Sequence, residues 1–486
     1  MLDYFNSFKL KAWHILVLLV VLELIFAFFT NSFVLSFDEA IWQCIGRNWF
    51  RNGLVPYTGG VDNKSPLIYI IYGVSDYLFG VNYWFPRLLA IAFQTTGIYF
   101  VYRIARHVSG QPAAMLAMII YGFSLLWKST NGKMVSLTQT YEIGFLIMSI
   151  YFLLIAANRR HLLIAGMLAG MALMFRFSAA PVILLMAVSL IFSRSFLNAL
   201  QFTIGLLIVT GSILSLFLLA GINLHDFISN SFVENFAAGS VTDHAFAWKA
   251  EQFANAFFYS ELILFYPFVI GYLFIHRKPD IFLWWLTGAF ISIAIIGMYA
   301  QAHLKELLPA LSIISAVSVV HLVTVYKMPL RALYLVIAIS FFPKDLEPLI
   351  GIKKFLMNTS HAEGLCSEPF KEDEGWNRKL GEWIDSNTKP GETVFVAGYG
   401  AQVQAYSCRL SPTIYFNATQ TPAAKQGLFF DLTRHRPAMI VIPLFAKYDL
   451  VAKDIRAFIS QVLAKDYSFD RCLFSYNIYR RKIAGN

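Results

Sequence analysis

Charged residues are scarce in this sequence. Only 14% of its 486 residues are charged, whereas a soluble domain usually carries roughly 25%. Hydrophobic residues make up 57% of the chain, and the mean hydropathy is +0.58. These values exclude a chain that is soluble throughout, and they favour lipid as its solvent.

Cysteine is also scarce, with four residues in all, which argues against a disulfide framework. Cys366, Cys408 and Cys472 fall in the polar C-terminal part, where they allow one bridge in any of three pairings. No Cys/His cluster has the spacing of zinc ligands.

The formal charge of +10 does not indicate a nucleic-acid partner. The basic residues are scattered between apolar runs, and no RNA- or DNA-binding pattern accompanies them. They fit loops that follow the positive-inside rule of membrane proteins.

Long apolar runs are abundant. A spanning helix needs about 20 apolar residues, and the sequence predicts a polytopic α-helical membrane protein with about eleven such helices. The first run contains Glu23 and lacks a cleavage site, which predicts a retained signal anchor. No period of 20–50 residues repeats, which argues against a solenoid. The predicted helices lie near 13–34, 86–104, 112–127, 138–157, 161–175, 178–193, 199–221, 257–275, 281–299, 307–325 and 330–343.

Loop charges predict the orientation. With a cytoplasmic N-terminus, the inside segments collect basic residues such as Arg159 and Arg160, and the alternate loops collect acids such as Asp38 and Asp226. An odd number of helices places the C-terminal part outside.

The composition changes near Pro343. We expect a transmembrane domain over 1–343 and an extracytoplasmic α/β domain over 344–486. Its helices are predicted at Glu372–Asn387, 420–434 and 449–464, and its strands at Thr393–Ala397, Met439–Ile442 and Phe474–Arg480.

The loop between the first two predicted helices, about 36–84, is long, and long loops are often functional. It is rich in aromatic residues, and Glu39–Asn52 and Ser65–Leu78 have the pattern of interfacial helices. Asp38 and Glu39 directly follow the first span, where they act either as functional acids or as a helix cap.

A second polar group in this loop precedes Pro66, which suits a helix start. Lys64 is placed to neutralise a phosphate, and Asp62 is placed to hold a divalent cation. A solvated turn is the alternative reading of the same residues.

These motifs resemble the glycosyltransferase-C superfamily. Asp62-Asn63-Lys64-Ser65-Pro66-Leu67 is similar to the Asp-x-His-Pro-Pro-Leu of protein mannosyltransferases, with Lys64 in place of His. It also resembles the Glu-Lys-Pro of the lipid A aminoarabinose transferase, with Asn63 in place of the acid. Pro86-Arg87-Leu88, the stretch from His303 to Pro309 and the C-terminal domain are similar to members of this group.

The resemblance implies a glycosyltransferase of the bacterial cytoplasmic (inner) membrane. Its donor would be a polyprenyl-phosphate sugar, used with inversion at the outer face, and its acceptor a lipid, a glycan or a protein. It implies Asp38 as the general base and Lys64 as a contact to the donor phosphate. Glu39 would orient the acceptor or share a divalent cation (Mg, Mn, Ca or Zn) with Asp62.

Other residues are further candidates. Arg87 and Arg176 would bind donor phosphate or snorkel to the interface. Glu142 stands near the place where many relatives have a second acid. His303, Lys305 and Glu306 would contact the donor or acceptor, or cap a helix. The loop at 221–257 is either a mobile cover of the site or a plain connector.

Two other functions compete with sugar transfer. A transporter or flippase of lipid-linked sugars tends to place charges near the bilayer midplane, whereas the acids here cluster at one face. An O-antigen ligase or polymerase would be expected to concentrate Arg and His in late loops.

Overall fold

The computed structural model divides the chain into two compact units. Unit 1 comprises 1–30, 87–216 and 243–349, and unit 2 comprises 31–86, 217–242 and 350–486. The boundary predicted between 343 and 344 stays a prediction. The structure describes residues 11–29, 34–128, 136–156, 158–193, 195–233, 246–276, 280–297, 299, 301–327, 330–344, 349, 352, 374–398, 400–416, 418, 422–445 and 448–482.

Apolar helices build unit 1, and every predicted apolar segment is helical. Short helical turns at Phe177–Ala179, Glu261–Phe265, Gln301–Leu304 and Lys305–Leu307 precede some of them. The helices are α1 (Ala12–Phe29), α4 (Trp84–Ser124), α5 (Thr138–Leu154), α6 (Arg159–Phe175), α7 (Ala180–Ser193), α8 (Phe196–Leu219), α10 (Phe246–Phe257), α11 (Tyr266–Ile275), α12 (Ile281–Ile296), α13 (Leu308–Tyr326) and α14 (Leu330–Phe341).

Among the described residues, four helices are long and apolar enough to cross a membrane, or five if a bent pair at 247–275 counts as one span. The four are Ala12–Phe29, Trp84–Ser124, Phe196–Leu219 and Ala302–Tyr326. The larger number of eleven crossings stays a prediction.

Helix α4 joins two segments that the sequence predicts as separate helices. Its backbone leaves the helical region at Ser109 and Gly110, and Gly110 has a φ of 80°. Only glycine adopts that conformation readily, so the helix is interrupted at Gly110 without steric strain.

Glycine also sets the distance between α6 and α8. A Cβ on Gly166 would lie 1.8 Å from the carbonyl oxygen of Phe202, and one on Gly205 would lie 2.2 Å from that of Leu163. Small residues let helix backbones approach this closely in membrane proteins.

Unit 2 begins with two helices, α2 (Phe37–Asn52) and α3 (Pro66–Phe79), close to the two predicted interfacial helices. A Cβ on Gly46 would lie 2.5 Å from the backbone nitrogen of Gly73, so the two helices touch through glycine. The short helix α9 (Leu224–Ile228) is followed by a π-helical turn at Ser229–Val233. Of the predicted loop at 221–257, residues 234–245 lie outside the described part of the chain.

The C-terminal part of unit 2 contains a four-stranded sheet of order β1-β2-β4-β3. Strands β1 and β2 are parallel, and the other two pairings are antiparallel, with Ile440 opposite Tyr479. The strands are β1 (Val394–Val396), β2 (Met439–Pro443), β3 (Tyr467–Leu473) and β4 (Tyr476–Arg481), and the helices are α15 (Glu374–Ser386), α16 (Ala401–Ser407), α17 (Pro422–Arg434) and α18 (Lys453–Asp466).

Three of these strands and all three predicted helices lie where the sequence places them. β3 was not predicted, because its exposed and half-buried residues give it little apolar alternation. Cys472 is in a disulfide and Cys408 is a free thiol. The two pairings that include Cys408 are therefore wrong.

Hydrogen bonds join the first loop to this sheet domain within unit 2. The Val61 backbone donates to the carbonyl of Ile414 at 2.8 Å, and the Leu35 backbone donates to the hydroxyl of Tyr406 at 3.0 Å. The loop that carries Asp62 and Lys64 is thereby anchored to folded protein.

Candidate active site

Glu39 is a buried cap of α2. One carboxylate oxygen accepts from the backbone N–H of Ser36 at 2.8 Å, and the other accepts from the hydroxyl of Tyr72 at 3.2 Å. A Glu three residues after a Ser N-cap is the usual place for a carboxylate that satisfies the helix start. Of the two readings of Glu39, the structure supports the helix cap.

Asp38 differs from Glu39 in its exposure. Its side chain is exposed to water, although dense protein surrounds the carboxyl. This loss of bulk water raises the pKa of Asp38 to about 6; Lys64 opposes the rise, and the negative charges of Asp62 and Glu39 add to it. A carboxylate that is accessible and has a raised pKa is suited to accept a proton.

The backbone at Lys64 is fixed by three hydroxyl groups. Its carbonyl accepts from Tyr57 at 2.8 Å, from Ser231 at 2.9 Å and from Tyr69 at 3.1 Å. Tyr57 has a φ of 71°, a left-handed conformation that is uncommon for a bulky residue and is often found at functional sites. Hydrogen bonds therefore fix this loop, unlike a solvated turn.

Neighbouring side chains orient the charged groups of this loop. The indole N–H of Trp42 donates to Asp62 Oδ2 at 2.8 Å, and the Lys64 ammonium donates to the Asn63 side chain. Asp62 and Lys64 are both half-buried. Asp38, Asp62 and Lys64 thus form one charged cluster, which we call the α2 cluster.

The divalent cation predicted at Asp62 and Glu39 stays a prediction. Both oxygens of Glu39 already accept hydrogen bonds, and Trp42 occupies one oxygen of Asp62. Within the described ranges, no three His, Cys, Asp or Glu side chains are grouped to hold a metal ion.

A buried ionic network joins α2 to α3. Asp76 accepts from Gln43 at 2.7 Å, and forms ion pairs with Arg47 at 2.8 Å and Arg51 at 2.6 Å. Burial acts to raise the pKa of Asp76, but the two guanidinium groups outweigh it and hold that pKa below its ordinary value. This network holds the helix that starts at the α2 cluster.

The remaining predicted site residues lie in unit 1. Arg176 pairs with Glu142 at 3.4 Å and with Glu306, and its guanidinium also contacts His303 Nδ1 at 2.6 Å. Both carboxylate side chains are buried. The side chain of Arg176 is only 11% exposed, so it does not snorkel.

Two further basic residues in unit 1 are buried. Arg87 is 1% exposed and donates to the carbonyl of Ala27 at 3.4 Å, which is not the position of an interfacial anchor. Lys305 is also 1% exposed, and its attraction partner is the fully buried Glu23. Glu142, Lys305 and Glu306 are thus buried in unit 1, and Arg176 and His303 are half-buried.

Comparison with known proteins extends this description. The chain is similar to ArnT from Cupriavidus metallidurans bound to undecaprenyl phosphate, with a TM-score of 0.63 and 13% identity over 96% of this chain and 98% of that one. The chain has the glycosyltransferase-C fold. It is also similar to the oligosaccharyltransferase AglB from Archaeoglobus fulgidus, with a TM-score of 0.52 and 12% identity over 99% of this chain and 75% of that one.

The match to a family model covers less of the chain. The family model for dolichyl-phosphate-mannose-protein mannosyltransferase matches residues 63–219, which contain Lys64, Arg87, Glu142 and Arg176 but not Asp38. A search of curated proteins gives no match.

Sequence reasoning missed four residues that hold the α2 cluster in place: Trp42, Tyr57, Tyr69 and Ser231. Trp42 and Tyr69 lie in the two predicted interfacial helices, and their polar atoms donate hydrogen bonds to the loop. Ser231 is separated from Lys64 by 167 positions, and no local pattern signals such a contact. The aromatic residues did carry one signal, because the N–H of a buried Trp and the O–H of a buried Tyr usually find a hydrogen-bond partner.

Proposed function

We propose that this protein is an inverting glycosyltransferase that moves a sugar from a polyprenyl-phosphate donor to an acceptor hydroxyl. The fold supports a membrane glycosyltransferase. The two similar structures were obtained with undecaprenyl phosphate and with a dolichol-phosphate, which supports a lipid phosphate as the carrier. The orientation from loop charges supports a reaction at the outer face of a cytoplasmic membrane.

The position and pKa of Asp38 carry the proposal. Its carboxylate is the exposed acid of the α2 cluster, and its pKa is raised to about 6. Lys64 lies near enough to act on it electrostatically. One base and one cation, both placed by a fixed loop, are the minimum that a single displacement at a sugar carbon requires.

The reaction is written as one displacement. Asp38 takes the proton of the acceptor hydroxyl, and the acceptor oxygen forms a bond to the anomeric carbon. The bond from that carbon to the phosphate oxygen breaks, and polyprenyl phosphate leaves with the electron pair. Lys64 stabilises the charge that develops on this phosphate. No enzyme-bound sugar forms, so the configuration is inverted.

The other acids of the loop have supporting roles. Asp62, oriented by Trp42, keeps a negative charge beside Lys64, and Glu39 fixes the start of α2. The proposed displacement itself needs no step through a metal ion. For Arg87 and Arg176 we propose structural roles in unit 1, in place of donor binding.

The experiment that tests this function uses purified protein in liposomes with a panel of radiolabelled polyprenyl-phosphate sugars. We expect label to appear on an acceptor from a membrane extract, to be identified by mass analysis, with equal release of polyprenyl phosphate. The same assay in excess EDTA tests whether transfer requires a divalent metal ion. Movement of intact donor across the bilayer, without release of phosphate, would instead identify a flippase.

A further inference from the structure

Unit 2 contains a second polar cavity, apart from the α2 cluster. It has a volume of about 660 Å³ and is lined by α2, by the 54–59 segment and by the sheet domain. Ligand pockets for small molecules usually measure about 300–1,000 Å³. We call it the arginine pocket, after Arg47, Arg409, Arg434 and Arg436, which line it together with His435.

The charge of the arginine pocket has one sign. Four arginines line it, and no Asp or Glu is among the described residues that do so. The charges of two of the arginines are neutralised by ion pairs, Arg47 with Asp76 and Arg409 with Asp385. These two make the wall rigid and polar rather than strongly charged.

The other two arginines are available to a ligand. The guanidinium of Arg434 lies 5.8 Å from the ring centre of Phe430 and forms no ion pair with a described residue. Arg436 contacts Asp466 at 3.3 Å, with half of its side chain exposed. Exposed pairs of this kind contribute little, so Arg436 can exchange this partner for an anion.

The rest of the lining is suited to sugar hydroxyls. Side chains that can donate or accept hydrogen bonds come from Thr58, Thr393 and Ser411, and an aromatic ring comes from Phe416. A site for inorganic phosphate alone would need neither this variety nor this volume. The combination of guanidinium groups, hydroxyls and a ring fits an anionic sugar.

The pocket is also connected to the α2 cluster. Ile414 lines the pocket, and its carbonyl accepts from the backbone of Val61 at 2.8 Å. Val61 directly precedes Asp62. A backbone hydrogen bond therefore joins the wall of the pocket to the loop that carries Lys64.

We propose that the arginine pocket binds a phosphorylated sugar, with Arg434 and Arg436 as the phosphate contacts and the hydroxyl side chains as contacts to the ring. The proposal does not rest on the proposed transfer reaction. Its affinity falls as ionic strength rises, because exposed charges are screened by salt.

Titration calorimetry of the purified full chain with glucose 1-phosphate tests the proposal. The double variant Arg434→Gln/Arg436→Gln should weaken binding at least about tenfold, since charge-assisted hydrogen bonds of this type contribute more than 1.4 kcal/mol together. The matched control is Lys453→Gln/Arg456→Gln, which removes two exposed charges from α18 outside the pocket. This control should bind within about twofold of the unmodified chain.

Three further titrations separate the sources of the anion. Glucose should not bind, and inorganic phosphate should bind more weakly than glucose 1-phosphate. Equal affinity for phosphate and glucose 1-phosphate would overturn the sugar assignment. Loss of glucose 1-phosphate binding in nanodiscs of anionic lipid, but not in zwitterionic ones, would identify a lipid-headgroup surface and overturn it as well. Unchanged binding by the arginine double variant would remove the site altogether.

Discussion

Asp38 and Glu39, the two adjacent acids at the start of α2, have different environments. Glu39 is buried, and both of its oxygens accept hydrogen bonds, whereas Asp38 is open to water and has a pKa raised to about 6. The sequence identifies the pair but cannot divide the roles, because position in a helix turn and contact with Tyr72 decide which acid is enclosed. The accessible acid, Asp38, is the one that we propose as the base.

The pH dependence of transfer follows from the pKa of Asp38. A base must be deprotonated, so the rate should rise as the pH increases through about 6 and reach a plateau above it. Initial rates at saturating donor, measured between about pH 4.5 and pH 8, check this. A rate that is constant from pH 5 to pH 7 would contradict Asp38 as the base.

Lys64 is expected to act on the leaving group. Lys64→Ala should lower kcat/KM for the donor by about 10²–10³, which is the usual effect of removing one group that stabilises a developing anion. Lys64→Arg keeps the charge and should retain part of the activity. Equal kcat/KM for Lys64→Ala and the unmodified chain, in the same liposomes, would rule out the phosphate contact.

At the level of secondary-structure elements, the sequence predicts the apolar helices well but does not predict the contacts between them. Long apolar runs decide the helices, so each predicted segment is found. The contacts of Arg176 with Glu142 and Glu306 join three separate parts of the chain, and no local pattern predicts them. The strand β3 was missed for a different reason, since most of its residues are exposed or half-buried and show little apolar alternation.

The ionic cluster of unit 1 is expected to stabilise the protein. Arg176→Ala leaves the carboxylates of Glu142 and Glu306 buried without a cation, which usually costs about 3–5 kcal/mol. We expect a large fall in the thermal unfolding temperature of the detergent-solubilised protein. Arg160→Ala, an exposed change on the same stretch of chain, is the control and should change stability by less than about 0.5 kcal/mol. Similar unfolding temperatures for the two variants would show that the cluster is not structural.

For the whole molecule, the fold is that of glycosyltransferase-C enzymes, and the orientation in the membrane is still a prediction. Cys408 is a natural reporter of it, because it is a free and exposed thiol, whereas Cys44 is free but buried. A membrane-impermeant maleimide should label intact spheroplasts through Cys408. Cys408→Ser should abolish the label, and labelling only after lysis would place the C-terminal domain inside.

The most direct measurement is sugar transfer by Asp38→Asn, compared with the unmodified protein in the same liposomes and with the same polyprenyl-phosphate donor. Asn keeps the size of the side chain but cannot accept the proton, so transfer should fall by about 10²–10⁴ while the unfolding temperature and donor binding are unchanged. Turnover equal to that of the unmodified protein would contradict Asp38 as the catalytic base and, with it, the proposed reaction at the α2 cluster.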